Sequence, residues 1–450
     1  MSEGKALRSP MPNLADYRGL IDGTPLVRHQ GKITQLVGQV IEAYNPGAVV
    51  GSLCAIYNPE TGQRVMGEVI GFRQDKVLLM ALGQMSDIGP NCRIIPEDRP
   101  PAVAVGDELM GRVLDGLGRP IDHKGEIVCP YEMPLYAEPI NPLHRRRITE
   151  SIDVGVRAIN GLLTTGKGQR VGIMSGSGVG KSVLLGMMAR HTQADVNVIA
   201  MVGERGREVV EFIERDLGEE GLKRSVMIVA TSDQPPLIRT RAAFLATTIA
   251  EYFRDQGRDV LFMMDSITRF AMAQREIGLA AGEPPTTKGY PPSVFAMLPK
   301  LLERAGMSAA PGTITGFYTV LVEGDDPNDP IADAVRSVVD GHVFLARELA
   351  ERGQFPAVDV LASTSRVMVD VVGRQHLRDA RAFVSTLATY KEAEDLINIG
   401  AYIRGSNPRI DFSLSKIDGI IDFLKQPVEE PASLLQSESI LEQLFSDQSN

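Results

Sequence analysis

A glycine-rich segment ending in a lysine and a serine is where this chain of 450 residues first suggests chemistry. The segment follows the apolar run 170–174 and leads into the helical pattern of 182–190. In such a strand–loop–helix unit, glycines let backbone N–H groups surround phosphates, and the helix N-terminus adds a positive dipole. The lysine can reach the β- and γ-phosphates, and the serine hydroxyl can bind Mg²⁺. The sequence therefore predicts a phosphate-binding loop for ATP, formed by Gly176, Ser177, Gly178, Val179, Gly180, Lys181 and Ser182.

Two carboxylates are predicted to lie at the same edge of the sheet as this loop. Asp265 ends the apolar run 259–265, as in a strand whose terminal acid holds Mg²⁺ directly or through water. Glu204 follows the run 196–202, and a carboxylate placed there can orient and polarise an attacking water. The alternative for Glu204 is a surface glutamate in a charged loop. Because hydrolysis needs a water-polarising group and binding alone does not, the two acids favour an ATP hydrolase.

Three arginines could stabilise the charge that spreads over the transferred phosphoryl group. They are Arg205, Arg269 and Arg366. A guanidinium at this position typically contributes about 10³-fold or more to the rate of phosphoryl transfer. Spacing along the chain does not decide which arginine is in reach, or whether one belongs to a neighbouring subunit. Each of them, taken alone, is compatible with an ordinary surface arginine.

The pattern along the chain predicts the elements that must position these side chains. Short β-branched runs separated by Asn-, Pro- and Gly-containing turns predict a small β-barrel or β-sandwich over 26–100. A proline-rich connector is predicted over about 101–150. Apolar runs that alternate with helical stretches follow it, so about 150–370 is predicted to form a parallel sheet covered by helices on both faces, and the two parts together make up 101–370. Residues 371–450 favour a helical domain, and residues 1–25 form an arm that is either a mobile terminus or a short partner-binding helix.

Composition narrows the class of protein further. The chain is 43% hydrophobic and 23% charged, with a net charge of -10, which argues against a nonspecific grip on nucleic acid or acidic lipid. Its three cysteines are widely spaced and form no CxxC, which indicates reduced thiols. Neither a signal peptide nor a run of about 20 apolar residues is evident. These features predict a cytoplasmic protein that reaches a membrane only through partners.

Several longer motifs accompany these residues. They are SGSGVGKS, GERGREV, AEYFRDQG, DSITRFAMAQREIGLAAGEPP, KGYPPSVFAMLPKLLERAG and FPAVDVLASTSRVM. Together they resemble the flagellar export ATPases of type III secretion. The chain is also similar to the injectisome ATPases and, more distantly, to the β subunits of rotary ATP synthases. The resemblance extends over about 26–425, and Ser175 stands where relatives often have Ala or Gly.

The resemblance implies a fold and a role for individual residues. The fold is an N-terminal β-barrel, a RecA-like P-loop ATPase core of α/β class and a C-terminal helical domain. Lys181 and Ser182 match the phosphate- and Mg²⁺-binding positions, and Asp265 matches the acid that holds Mg²⁺. The remaining matches are Glu204 to the catalytic glutamate, Arg269 to an arginine that orders the site, Arg366 to a finger offered to a neighbour's ATP, and Phe355 to the aromatic beside adenine.

The same resemblance implies partners and a place in the cell. The family forms homohexamers with nucleotide at the subunit interfaces, on the inner face of the cytoplasmic membrane. Its partners are a stator-type regulatory protein, export chaperones with their substrates, and the membrane export gate. The implied activity is hydrolysis of ATP to ADP and phosphate, which would release chaperones and deliver substrates for flagellum assembly.

Four alternative functions are weighed against this expectation. An injectisome ATPase is the nearest, although AQREIGLAAGEPPTTKGY and GAYIRGSNP favour the flagellar branch. A synthase β subunit is disfavoured because the C-terminal region lacks an acidic segment of the DELSEED type. A nucleic-acid translocase is disfavoured by the acidic charge and the lack of an RNA-binding aromatic motif. A non-catalytic ring subunit is disfavoured because both Glu204 and Asp265 are present.

Overall fold

The computed structural model describes residues 30–45, 47–97, 99–322, 326 and 329–446. The predicted N-terminal arm, 1–25, lies outside these residues. The chain divides into two compact units between Pro100 and Pro101. No helix in the described ranges is both long enough and apolar enough to cross a membrane.

The first unit is a closed six-stranded antiparallel barrel, which decides between the barrel and the sandwich that the turn-separated runs allowed. Its strands follow the order β1-β2-β5-β4-β3-β6, and β6 pairs with β1 to close it. Alternate residues point inward and form a small apolar core around Ile41, Ile56, Leu79 and Ile94. Closure leaves no free sheet edge. The strands are β1 Gly31–Val37, β2 Val40–Tyr44, β3 Leu53–Tyr57, β4 Arg64–Arg73, β5 Lys76–Ala81 and β6 Arg93–Pro96.

The second unit is built on a mostly parallel sheet. The strands run in the order β17-β16-β10-β15-β13-β11-β12-β8, and β14 pairs antiparallel with β15. Strands β7 and β9 form a separate antiparallel pair. The strands are β7 Ala102–Val105, β8 Val113–Asp115, β9 Tyr131–Pro134, β10 Arg170–Ser175, β11 Val196–Val202, β12 Ser225–Ala230, β13 Asp259–Asp265, β14 Gly306–Met307, β15 Thr313–Leu321, β16 Gly341–Leu345 and β17 Val358–Ser365.

Helices cover this sheet and form the C-terminal part of the chain. The α-helices are α1 Arg157–Leu162, α2 Lys181–His191, α3 Gly206–Glu211, α4 Gly218–Lys223, α5 Pro236–Asp255, α6 Ile267–Ala281, α7 Pro292–Leu302, α8 Pro330–Val338, α9 Arg347–Glu351, α10 Met368–Val371, α11 Arg374–Asn398, α12 Pro408–Leu424 and α13 Leu434–Phe445. A π-helical turn, Phe212–Leu217, joins α3 to α4. Short 3-10 turns are Asp107–Leu109, Pro142–His144 and Thr287–Gly289.

The sheet differs from the sequence-based expectation at both edges. Strand β8 comes from the segment that the proline content marked as a connector, and it pairs parallel with β12. Strand β17 was not among the predicted runs, and it pairs antiparallel with β16. Only its first residues alternate between buried and accessible, and the rest is exposed or half-buried. The weak apolar pattern of β17 explains why its sequence does not indicate a strand.

Helices α11, α12 and α13 pack around three phenylalanine rings. The ring centroids of Phe383 and Phe423 are 5.2 Å apart, and those of Phe383 and Phe445 are 6.3 Å apart. Phe423 also fills the space above Gly161 of α1, where a Cβ atom would lie 2.6 Å from the ring. Of the leucines in α13, Leu441 is fully buried whereas Leu435 is 77% exposed. The three helices therefore share one apolar core with the part of the unit that carries the central sheet.

Candidate active site

The loop between β10 and α2 has the conformation that a phosphate cradle requires. Gly178 and Gly180 have φ angles of 79° and 91°, in the left-handed region that side chains with a Cβ rarely adopt. Lys181 is the first residue of α2, and Gly180, which precedes it, provides no side-chain cap. The first amides of α2 therefore have no capping side chain and can donate to an anion.

Sheet register brings the predicted acids to this loop. Strands β10, β15, β13 and β11 are parallel neighbours, so their carboxyl ends meet at one edge. Lys181 Nζ donates to Asp265 Oδ1 and lies 3.8 Å from Glu204 Oε1. The three side chains are only 11%, 3% and 7% exposed, respectively. The structure thus gathers the lysine and both carboxylates in one buried cluster.

The charges in the cluster perturb one another. Burial alone would lower the pKa of Lys181, but the nearby carboxylates of Asp265 and Glu204 outweigh it and raise that pKa. Burial, with the Asp265 charge added, raises the pKa of Glu204 to about 7, against the opposing effect of Lys181. Glu204 Oε1 is buried and has no hydrogen-bond partner among the described residues. A carboxylate oxygen of this kind can accept a hydrogen bond from a bound water.

Of the three predicted arginines, one lies beside the cluster and one points into solvent. Arg269 is in the first turn of α6 and packs against Gly203, where a Cβ atom would lie 2.6 Å from Arg269 Cβ. Glycine at 203 therefore allows Arg269 to lie next to the turn that carries Glu204. The Arg205 side chain is 72% exposed, and its nearest acid is Glu208 at 3.9 Å.

The third arginine, Arg366, lies at the opposite edge of the sheet. It follows β17, whose last residue pairs with Gly341 at the beginning of β16. Its backbone N–H donates to the Asp340 carbonyl at 3.0 Å, and its exposed side chain reaches the Val339 carbonyl at 3.4 Å. A strand of about five residues, roughly 17 Å, separates the two edges. Arg366 is therefore not brought together with Lys181 in the same chain.

Phe355 lies against the phosphate loop. A Cβ atom on Gly180 would lie 3.8 Å from Phe355 Cδ1, and the phenylalanine side chain is 48% exposed. Its carbonyl accepts a hydrogen bond from the Gln426 backbone N–H at 2.9 Å. An exposed aromatic ring at the mouth of a phosphate loop can stack on a nucleotide base.

Sequence reasoning missed two residues that contact the site. Thr319 of β15 donates its hydroxyl proton to Asp265 Oδ1 at 2.7 Å. Arg347, the first residue of α9, donates to the Ser177 carbonyl of the phosphate loop at 3.2 Å. The only sequence signal for Thr319 is a hydroxyl residue within an otherwise apolar run, which is too common to indicate a site.

Three family models match consecutive parts of the chain. Residues 33–97 match the β-barrel domain of the ATP synthase alpha/beta family, and residues 155–365 match its nucleotide-binding domain. Residues 372–443 match the T3SS EscN ATPase C-terminal domain.

Curated proteins and solved structures resemble nearly the whole chain. The flagellum-specific ATP synthase of Bacillus subtilis is 54% identical over 427 residues, which covers 94% of this chain and 97% of the relative. The type 3 secretion system ATPase of Xanthomonas euvesicatoria is 50% identical over 403 residues, 90% and 91% of the two chains. The assembled ATPase EscN of enteropathogenic E. coli superposes with a TM-score of 0.87 at 47% identity, over 92% of this chain and 99% of EscN.

These matches confirm the predicted fold class and the predicted family. The barrel, the α/β core and the helical C-terminal part all have their counterparts in EscN. The nucleotide is ATP, as the family implies. The chain belongs to the ATP synthase alpha/beta family, in the branch of flagellum-specific and type 3 secretion ATPases, and is an ATPase of type III protein export.

Proposed function

We propose that this ATPase energises protein export for assembly of the bacterial flagellum, by releasing chaperones and delivering substrates to the membrane gate. Relatives named flagellum-specific ATP synthase support this proposal, at 54% identity in Bacillus subtilis and 52% in Pseudomonas aeruginosa. A role in virulence-type secretion is the runner-up, because the Xanthomonas relative is 50% identical.

The observation that carries the catalytic part of the proposal is the buried cluster of Lys181, Glu204 and Asp265. The backbone amides of residues 176–182 bind the phosphates, and Lys181 turns from Asp265 to the β- and γ-phosphates. Glu204 accepts a hydrogen bond from the attacking water through Oε1, the oxygen without a hydrogen-bond partner among the described residues. Arg269 packs against Gly203, next to the turn that carries Glu204, and keeps that turn in position.

Ser182 and Asp265 are the residues that would hold Mg²⁺. A hydroxyl and a carboxylate supply the oxygen ligands that this ion prefers, with phosphate and water oxygens completing the set. When bound, the ion neutralises charge on the phosphates. Ser182 is the second residue of α2 and Asp265 ends β13, so two rigid elements present these oxygens.

The proposed active form is a homohexameric ring in which Arg366 serves the ATP of the next subunit. The position of Arg366, at the sheet edge remote from its own Lys181, supports a role between subunits. The relative EscN has been solved in assembled form. Phe355 flanks the adenine, in keeping with its exposed ring beside Gly180. Arg205, exposed and adjacent to Glu204 in the chain, is the third arginine proposed to meet the γ-phosphate.

The proposed place of action is the cytoplasmic face of the membrane, reached through partners. These partners are a stator-type regulatory protein, export chaperones with their substrates, and the export gate. EscN has been solved in complex with its central stalk, EscO, and this chain is 46% identical to that EscN. A stalk partner of the same kind fits the proposal.

The test is the variant Glu204→Gln, which keeps the shape of the side chain and removes its basicity. We expect it to bind ATP normally and to hydrolyse it at least about 100-fold more slowly, the usual scale for a lost catalytic base. Glu211→Gln is the matched control, because Glu211 is half-exposed on α3 and pairs only loosely with Arg207 at 3.7 Å. Near-normal turnover by Glu204→Gln would remove Glu204 from this role.

A further inference from the structure

We propose that Thr319 is a positioning residue that fixes the Asp265 carboxylate for Mg²⁺-dependent ATP hydrolysis. The inference rests on the proposed function of the cluster. The hydroxyl of Thr319 donates to Asp265 Oδ1 at 2.7 Å, and the Thr319 side chain is fully buried. The Met264 carbonyl, 3.3 Å away, is a weaker acceptor for the same proton.

Strand order explains why the hydroxyl comes from β15. The strand that carries the phosphate loop, β10, and the strand that ends in Asp265, β13, are not neighbours, because β15 lies between them. Thr319 pairs with Ile173 of β10, and the preceding residue, Tyr318, pairs with Met264 of β13. Thr319 is therefore set directly between the two functional strand ends, on a rigid strand rather than on a loop.

Both hydrogen-bond donors to the Asp265 side chain in the described ranges use the same oxygen. Lys181 Nζ and Thr319 Oγ1 each donate to Oδ1. A carboxylate has about four lone-pair positions, so this arrangement leaves Oδ2 for other ligands. One fixed donor on Oδ1 thus sets the direction in which the second oxygen points.

When nucleotide binds, the Thr319 hydroxyl is the donor that continues to orient the Asp265 carboxylate. Lys181 is then needed at the phosphates, so Asp265 loses its charged partner. Thr319, held in a parallel strand with neighbours on both sides, keeps its position. The carboxylate therefore retains one donor throughout the cycle, and its orientation does not have to be restored at each turnover.

Thr319→Val is the direct test, because valine has nearly the same shape and lacks the hydroxyl. We expect kcat to fall at least about 10-fold, as for a lost hydrogen bond to a charged group, with little change in KM for ATP. Thr319→Ser keeps the hydroxyl and should restore most of the activity. Thr315→Val is the matched control, since Thr315 is also buried in β15 but accepts its bond from Gly168 at the other edge. It should leave kcat unchanged.

A second measurement does not depend on turnover. In the Glu204→Gln background, the affinity for ATP is measured with Mg²⁺ and with EDTA. The ratio of the affinity with Mg²⁺ to the affinity with EDTA should fall at least about 10-fold when Thr319→Val is added. The affinity in EDTA itself should not change. If valine at 319 does not give folded protein, Thr319→Cys, with a thiol that donates only weakly, replaces it.

Two outcomes would overturn the inference. One is an unchanged effect of Mg²⁺ in the Thr319→Val protein, and the other is a loss in Thr319→Ser equal to that in Thr319→Val, which would assign the effect to packing. A different result, the absence of ATP hydrolysis by the unaltered protein, would contradict the proposed function. The binding measurement tests Thr319 in either case.

Discussion

Opposing effects of burial and of neighbouring charges act on the Glu204 carboxyl group. It is buried next to Asp265, which disfavours ionisation, and 3.8 Å from Lys181, which favours it. The outcome is a pKa raised to about 7. At that value the carboxyl group of the nucleotide-free enzyme is protonated in mildly acidic solution and ionised in mildly basic solution.

This balance predicts the pH dependence of hydrolysis. Only the ionised form of Glu204 can polarise water, so kcat/KM for ATP should rise between about pH 6 and pH 8, with an inflection near the pKa of the free enzyme. Initial rates at low ATP and saturating Mg²⁺ measure it. The ATP affinity of Glu204→Gln in the same buffers separates catalysis from binding. A flat profile through this range would contradict the assignment of Glu204 as the base.

Motif chemistry predicted the charged residues of the site but not the neutral one that orients Asp265. Glu204 follows an apolar run, Asp265 ends one and Lys181 closes the loop after a third, and parallel strands bring such positions together at one edge of a sheet. Thr319 lies inside a run, and only the order of strands places it beside Asp265. Strand order depends on contacts that are distant along the chain, so sequence periodicity does not indicate it.

Among the elements, the antiparallel strand β17 determines which edge of the sheet Phe355 and Arg366 occupy. It runs against β16 and ends at the amino edge of the sheet, which carries Arg366 away from the phosphate loop. The loop that precedes β17 holds Phe355 at the other edge, beside Gly180. One short segment, 355–366, therefore supplies residues to both edges of the sheet.

The reversal predicts complementation between two inactive variants. Arg366→Ala keeps its own Glu204, and Glu204→Gln keeps an arginine that it can offer to a neighbour. Each variant alone should have little activity, whereas a mixture that is dissociated and reassembled should recover part of it. ATPase assays on the mixture measure the effect, and mixtures of each variant with the double variant serve as controls. No recovery in rings that contain both variants would contradict action between subunits.

The edges of the central sheet were harder to predict than its middle. The runs that form β10, β11, β13 and β15 are buried along nearly their whole length and are apolar for that reason. Strand β8 has only three residues, and β17 is largely accessible. An edge strand buries less surface, so its sequence is free to be polar and carries little signal.

On the scale of the whole molecule, residues at both edges of the sheet have proposed roles in hydrolysis. A single chain cannot bring Arg366 to its own ATP in the described fold. Hydrolysis should therefore depend on the assembly of the chain with copies of itself.

We accordingly expect activity per chain to rise with protein concentration as rings form. The measurement is specific ATPase activity across a dilution series, with light scattering on the same samples to follow assembly. Arg366→Ala, which should assemble but gain little activity, is the control. A constant specific activity across a range in which scattering reports a change from monomer to hexamer would refute the dependence.

The architecture of the whole chain could be predicted because its parts have different patterns. Short turn-separated runs indicated a barrel or a sandwich, long apolar runs indicated the parallel sheet, and the absence of such runs indicated the helical C-terminal part. The arrangement of copies in a ring has no comparable pattern in a single chain, and it entered through family resemblance.

Because the segment 355–366 supplies residues to both edges of the sheet, an inactive copy of the chain also affects the subunits next to it in a ring. Under the proposed roles, a copy that has lost both Glu204 and Arg366 silences its own site and withdraws the arginine from the site next door. An intact subunit next to such a copy would therefore also lose activity. In cells that make both copies, the ATPase activity would fall by more than the fraction of damaged subunits.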